Sequence, residues 1–157
     1  MSTRRDPIAE GSRNWIDRGC GPIAQVNAAT GLTRAQQIVG RRIAHALAEF
    51  ELTFAQLEVL LALAEAPTPP GMGELGERLR LHPTTAARTV ARLEKAQLVE
   101  RVQDEDARMS RVKVSRRGFE LTRASLTRLR EHGFGLDGWT EHDIQRFDTL
   151  TTPIVAG

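Results

Sequence analysis

The sequence predicts a mainly α-helical fold carrying a small β wing, an α+β class, and three observations predict it. Apolar residues recur at three- to four-residue spacing through most of the chain, the period of amphipathic helices. The period changes to alternation in Leu98–Val102 and again in Arg111–Ser115, as two half-buried strands require. Just before them stands a short basic helix that opens on Pro83, a residue suited to the first helical position. Helix, turn, basic helix, strand, charged turn, strand and helix start, in that order from Leu75 to Gly118, make a winged helix-turn-helix.

Taken in order, Leu32, Gln36, Val39, Ile43, Leu47 and Phe50 trace one face of a helix from about Leu32 to Glu49. Thr53 and Gln56 form a capping box that opens a second helix, with Phe54, Leu57, Leu60, Leu61 and Ala64 on its buried side. Ala66-Pro67-Thr68-Pro69-Pro70-Gly71 ends it. In the basic helix Ala86 or Ala87, Val90 and Leu93 form the apolar stripe. Thr84, Thr85, Arg88, Thr89 and Arg92 occupy the other face; short hydroxyls and guanidinium groups there suit base edges in a major groove. His82 takes the N-cap position, where histidine is weaker than serine or asparagine; a phosphate contact and a structural role are equally open for it. Gln103–Ser110 is almost wholly polar and reads as an exposed hairpin turn, with Arg108 near its tip fitted to a narrow minor groove. Ser115 is a helix N-cap. Phe119, Thr122, Leu126 and Leu129 then mark a helix to about His132, Gly133–Gly138 breaks it, and Thr140 with Asp143 caps a last helix through Leu150.

Three stretches resemble the MarR family of bacterial transcriptional regulators: Leu52-Thr53-Phe54-x-x-x-Glu58-Val59-Leu60, Arg92-Leu93-Glu94-x-x-x-Leu98-Val99-x-Arg101, and Asp106-x-Arg108-x-x-x-Val112-x-Val114-Ser115-x-x-Gly118. The resemblance spans roughly Leu32 to Leu150. It implies one domain over residues 1–157, with the winged helix-turn-helix at about 53–118 and dimerisation helices at about 15–50 and 119–155. It also implies that Asp106 and Arg108 shape the wing turn and that Arg108 enters the minor groove. The function it implies is a dimeric, sequence-specific, double-stranded DNA-binding regulator, a repressor released from a palindromic operator by a small aromatic or anionic effector. The chain departs from the family pattern at Gln97, where a glycine is usual, at Ala107, where a second arginine is common, and at Ala86, Ala87 and Ala91, which are smaller or less polar than in many relatives.

Composition agrees without deciding. A chain of 157 residues has room for one modest core. Its formal net charge of +2 makes bulk charge a weak argument for nucleic acid, so the argument rests on arginines gathered in the winged third. No run of 18 apolar residues exists to span a membrane, Met1–Asn14 lacks the apolar core of a signal peptide, and one cysteine permits no intramolecular disulfide. A cytoplasmic protein is expected. A glycine-rich phosphate loop, a nucleophile elbow and a Ser/His/Asp set are all missing, so no enzyme and no cofactor are expected. His45, His82, His132 and His142 lack a regular ligand spacing, so no metal is expected either.

Outside the winged module several residues invite separate roles. Trp15, Ile23, Val26, Trp139, Ile144, Phe147, Leu150 and Ile154 exceed the apolar needs of one small module, which a homodimer interface at both termini would explain. Trp15, Arg41, Arg42 and Glu58 are weak candidates for effector binding, with Trp15 better explained as a dimer or core anchor. Cys20 is a weak candidate for redox sensing, which needs a thiol activated by cations or a helix N-terminus. The remaining alternative is a winged-helix module that binds protein. Cations at Arg88, Arg92 and Arg108 favour DNA over that reading.

Overall fold

The computed structural model describes Gly19, residues 23–103 and residues 110–156. Trp15, Cys20, Asp106 and Arg108 lie outside the described residues. The fold is mainly helical with one two-stranded antiparallel sheet. Its elements are α1 (Ile23–Leu47), a 3-10 turn (Ala48–Phe50), α2 (Phe54–Glu65), α3 (Met72–Leu79), α4 (Pro83–Lys95), β1 (Val99–Gln103), β2 (Ser110–Val114), α5 (Arg116–Glu131), a second 3-10 turn (Gly133–Gly135) and α6 (Glu141–Ala156). Among the described residues no helix is long and apolar enough to cross a membrane.

The chain divides into two units, Met1–Arg41 and Arg42–Gly157. In the first, α1 begins at Ile23, nine residues before the expected start at Leu32. Ala24, Ala28 and Ala29 are strong helix formers and no proline follows Ile23 until Pro67, so the isolated Gly31 costs the helix about 1 kcal/mol without ending it. Val26, Leu32 and Ile38 of this segment are exposed. The expected face is therefore buried only toward its C-terminal end, at Ile43 and Leu47 of the second unit.

The second unit holds the core. Leu52, Val59, Leu60, Leu63, Leu75, Val90, Leu93, Leu98, Val99 and Val112 form one buried cluster. Its centre is α2, which touches α3, α4, α5 and β2. A helix packed on so many sides buries residues all round its axis. Leu57, Val59, Leu60, Ala62 and Leu63 are buried, whereas Phe54 and Ala64, expected inside, are exposed and Leu61 is half-buried. The capping box at its start is present: the Thr53 hydroxyl accepts from the Gln56 amide at 3.2 Å, and Gln56 Oε1 accepts from the Thr53 amide at 2.8 Å.

The wing pairs Val99 with Val114, Arg101 with Val112 and Gln103 with Ser110. Val112 N–H donates to the Pro70 carbonyl at 3.1 Å, and Gly71 bridges Arg111, so the loop before α3 lies along the outer edge of β2.

In α5 the buried face is Gly118, Thr122, Ser125 and Leu129, and Phe119 is 58% exposed rather than buried. The small residues explain the shift. A Cβ at Gly118 would stand 2.0 Å from the Leu98 carbonyl oxygen, so only glycine allows α5 to approach the turn before β1 this closely. Helix α6 opens on Thr140, whose hydroxyl accepts from the Asp143 amide at 3.2 Å, while Asp143 Oδ2 accepts from the Thr140 amide at 3.0 Å. The Thr140 hydroxyl, which donates to Asp143 Oδ2 at 2.6 Å, and then the Thr140 amide hold the Asp143 carboxyl below the usual carboxylate range. The helix continues through Pro153 to Ala156, past the expected end at Leu150.

The close approach at Gly118 gives the first test. Gly118→Ala should cost about 3 kcal/mol or more, because the added methyl meets backbone rather than a side chain that can turn aside. Gly73→Ala, at an exposed helical site with nothing within 4 Å of the added carbon, should be neutral or slightly stabilising. Urea unfolding of the two variants measures both, and equal small effects would contradict the packing.

Candidate nucleic-acid interface

Helix α4 is set between two turns of one type. Arg80, after α3, has φ +50°; its amide donates to the Glu77 carbonyl at 3.1 Å and the Leu81 amide to the Gly76 carbonyl at 2.9 Å. Gln97, after α4, has φ +59°; its amide donates to Glu94 at 2.9 Å and the Leu98 amide to Leu93 at 2.9 Å. Both are Schellman closures, with the apolar residue after the left-handed one folding back on the helix. Neither left-handed position is glycine, so each carries a steric cost of about 1 kcal/mol.

The start of α4 is capped as well. His82 Nδ1 accepts from the Thr84 amide at 3.3 Å, which assigns His82 a structural role and leaves Nε2 as its second polar atom. Ala86, Val90 and Leu93 are fully buried. Thr84, Thr85, Ala87, Arg88, Ala91, Arg92 and Lys95 are exposed. Among the described residues neither Arg88 nor Arg92 has an ion-pair or hydrogen-bond partner.

Thr89 departs from the expected outward set. It is half-buried, and its hydroxyl donates to the Thr85 carbonyl at 3.0 Å. With Ala86, Val90 and Leu93 defining the buried direction, a helix of about 3.6 residues per turn places Thr89 beside that stripe and Ala91 and Lys95 on the outward ridge. Sequence spacing contained this information, but residue polarity drew Thr89 into the outward set and left Ala91 out of it.

Glu94 is engaged within the fold. Its carboxylate accepts from Arg101 Nε at 3.0 and 3.1 Å, tying α4 to β1. Lys113 and Glu100 pair at 3.3 Å across the wing. Arg111 reaches the Pro69 carbonyl at 3.1 Å. Ser115 joins the parts: its hydroxyl donates to the Gln97 carbonyl at 2.8 Å and accepts from the Gly118 amide at 3.0 Å, while its own amide donates to Leu98 at 3.0 Å.

Of the effector candidates, Arg42 and Glu58 lie in the second unit. Arg42 donates to the Gly135 carbonyl at 2.8 Å and lies 3.6 Å from Asp137, so it ties the end of α1 to the loop after α5. Partial burial pushes the Glu58 carboxyl above the ordinary carboxylate range. A groove of about 670 Å³ lies beside α5, lined by Glu49, Phe50, Glu120, Arg123, Arg128 and Glu131, and neither Arg42 nor Glu58 contributes to it. Arg41 is exposed on α1.

A family model described as the MarR family matches residues 50–109. Over these residues the winged helix of this chain is similar to that of the MarR family. Sco5413, a MarR family transcriptional regulator from Streptomyces coelicolor, superposes with a TM-score of 0.79 at 26% identity, covering 86% of this chain and 95% of that one. AbsC, a MarR family transcriptional regulator from the same organism, gives 0.70 at 22% identity over 82% and 90% of the two chains. A substituted MarR from E. coli, complexed with operator DNA, gives 0.72 at 20% identity over 80% and 91%. None of the curated proteins compared with the chain matches it. Within the MarR pattern, Gln97 stands in place of the usual glycine, and its positive φ shows why glycine is usual there.

The caps give the second test. Gln97→Gly should raise stability by about 1 kcal/mol, or roughly 2–4 °C in Tm for a chain of this size. His82→Ala should cost about 0.5 kcal/mol, and His82→Asn should cost nothing because asparagine supplies an equivalent cap. Calorimetry of the three variants checks the order. Destabilisation by Gln97→Gly would contradict the reading.

Proposed function

We propose that this chain is a dimeric, sequence-specific double-stranded DNA-binding transcriptional regulator, a repressor whose hold on its operator is released by a small-molecule effector. The observation that carries the reading is the outward face of α4, where Arg88 and Arg92 stand exposed and, among the described residues, unpaired, opposite a fully buried stripe. A structural helix has no need of free guanidinium groups there, and a major groove does. The MarR–operator complex among the structural relatives supports the same reading.

Dimerisation rests on a separate observation. Helix α6 buries none of its side chains and exposes Ile144, Phe147, Leu150, Ile154 and Val155. Trp139 meets Phe147 edge-on at 5.3 Å, which stiffens that surface. Two copies would cover it and space two α4 helices one helical turn apart, over half-sites about 10 base pairs from centre to centre. Residues 15–50 and 119–155 would then supply the interface.

Arg88 lies near the middle of the outward ridge and Arg92 one turn later on its flank. Arg88→Ala should cost about 1–3 kcal/mol and relax preference at one base pair. Arg92→Ala should weaken all duplexes and flatten the salt dependence by about one unit, as loss of one phosphate contact does. Fluorescence anisotropy on specific and scrambled duplexes at several salt concentrations separates them. Equal, sequence-independent losses would contradict the assignment.

Leu150 is 69% exposed in the single chain. Leu150→Glu in a two-fold interface acts twice, so at about 1.5–3 kcal/mol per buried leucine the dimer should weaken roughly 10²–10⁴-fold. Sedimentation at micromolar concentration should give a dimer for the wild type and a monomer for the variant. A wild-type monomer would overturn the dimeric reading.

Effector release requires a ligand that prefers the conformation unable to bind DNA, and the coupling is reciprocal. A phenolic carboxylate should release operator from both the wild type and Cys20→Ser. Release of the wild type alone, and only by peroxide, would assign control to the thiol.

A further inference from the structure

The recognition face of α4 carries an unusually short chemical vocabulary. The helix is Pro-Thr-Thr-Ala-Ala-Arg-Thr-Val-Ala-Arg-Leu-Glu-Lys. It holds no Asn or Gln, the side chains that read adenine through paired bonds, and no Asp. Its one acid, Glu94, is half-buried, lies about a quarter turn off the outward ridge and is engaged by Arg101. The Thr89 hydroxyl is turned back to donate a hydrogen bond to the Thr85 carbonyl. What remains on the exposed side is guanidinium, ammonium, two threonine side chains and the methyl groups of Ala87 and Ala91.

Position on the helix narrows this further. At about 100° per residue, Thr84, Arg88, Ala91 and Lys95 form one ridge opposite the stripe of Ala86, Val90 and Leu93. Arg92 and Thr85 flank the ridge on one side and Ala87 on the other. From Arg88 to Ala91 the helix rises about 4.5 Å, close to the spacing of adjacent base pairs, so the two meet neighbouring pairs rather than the same one.

We propose that this ridge reads each half-site as a G·C pair, taken by Arg88 through guanine O6 and N7, next to a T·A pair whose thymine methyl packs on the Ala91 methyl. The proposal rests on the DNA-binding reading above and adds the identity of the bases. Guanine suits the fork of donors on Arg88, and a thymine methyl is the one major-groove feature that an alanine can select. Thr84, at the start of the ridge, presents a methyl and a hydroxyl to the pair on the other side of the guanine. Lys95, at the far end, meets phosphate and adds no base preference.

The test uses the full chain and a randomised duplex library. Selection should return one invariant G·C per half-site with a T·A pair beside it. In the selected duplex, deoxyuridine in place of that thymidine removes only the methyl group. Affinity should fall about fourfold per half-site, the worth of one buried methyl-sized group. For Ala91→Gly the thymidine and deoxyuridine duplexes should bind equally, because the protein's half of the contact is gone. Ala91→Ser, which keeps the helix better, serves as the second variant and should also shrink the difference. A selected site without the G·C pair, or a deoxyuridine duplex bound as tightly as its parent by the wild type, overturns the proposal. So does an unchanged ratio in both Ala91 variants, since it would place the methyl effect in DNA shape. Failure to retain any duplex overturns the DNA-binding reading itself, which distinguishes the two failures.

Discussion

The position of α4 depends on one junction, where the turn after that helix, the end of the wing and the start of α5 meet within hydrogen-bonding distance. Ser115 holds it. One hydroxyl both donates to the Gln97 carbonyl and accepts from the Gly118 amide, and the neighbouring amide closes on Leu98. The three bonds satisfy backbone groups at the end of one helix and the start of another, groups that would otherwise lie unpaired near a core. They form only if α5 approaches to van der Waals contact with the Leu98 carbonyl, which the missing side chain of Gly118 permits. Leu98, on the other side of the same turn, is buried against the central cluster. A helix held at one end by this junction and at the other by the His82 cap presents its outer ridge in a fixed orientation. Reading base edges requires that, since a groove contact loses its value when the side chain must search for it.

The strain stored nearby follows from the same constraint. Arg80 and Gln97 adopt left-handed backbone conformations although neither is glycine. The tight closures they allow put Leu81 and Leu98 back over their own helices, and burial of Leu98 in the main cluster offsets the cost. The Glu94–Arg101 pair is exposed, so its contribution to stability is small. The backbone closure at Gln97 and Leu98 turns the chain from the helix into β1, and the pair lies beside it.

Much of this was legible in the sequence because it depends on local chemistry. Pro83, the Thr53–Gln56 box, Ser115 and the Thr140–Asp143 pair each act within four residues, and their roles follow from spacing alone. The alternation of the wing strands was legible for the same reason. What escaped was set by tertiary packing. Phe119 looked like a core residue because it is large and apolar, yet α5 buries its small residues in order to come close to Leu98 and α2. Phe54 failed likewise, because α2 is surrounded and periodicity cannot say which side of such a helix is left uncovered. The helix expected from about Leu32 begins at Ile23, because the alanines before Gly31 carry it through that glycine. In the site, Thr89 was drawn outward by its hydroxyl, which the structure turns back onto its own helix. Ala91 was left out of the outward set because a methyl group offers no polar chemistry.

The central claim is that the Ser115–Gly118 junction holds α4 as part of the global fold and not as a loosely docked element. Native-state amide hydrogen exchange at Leu98, Ser115 and Gly118 tests it most directly, because the Ser115 and Gly118 amides donate two bonds of the junction and the Leu98 amide closes, on Leu93, the turn that the junction holds. The account predicts that all three exchange only by global unfolding, with the same free energy of opening as the buried amides of α2. Exchange through a partial opening of clearly lower free energy, with α2 still protected, would contradict it.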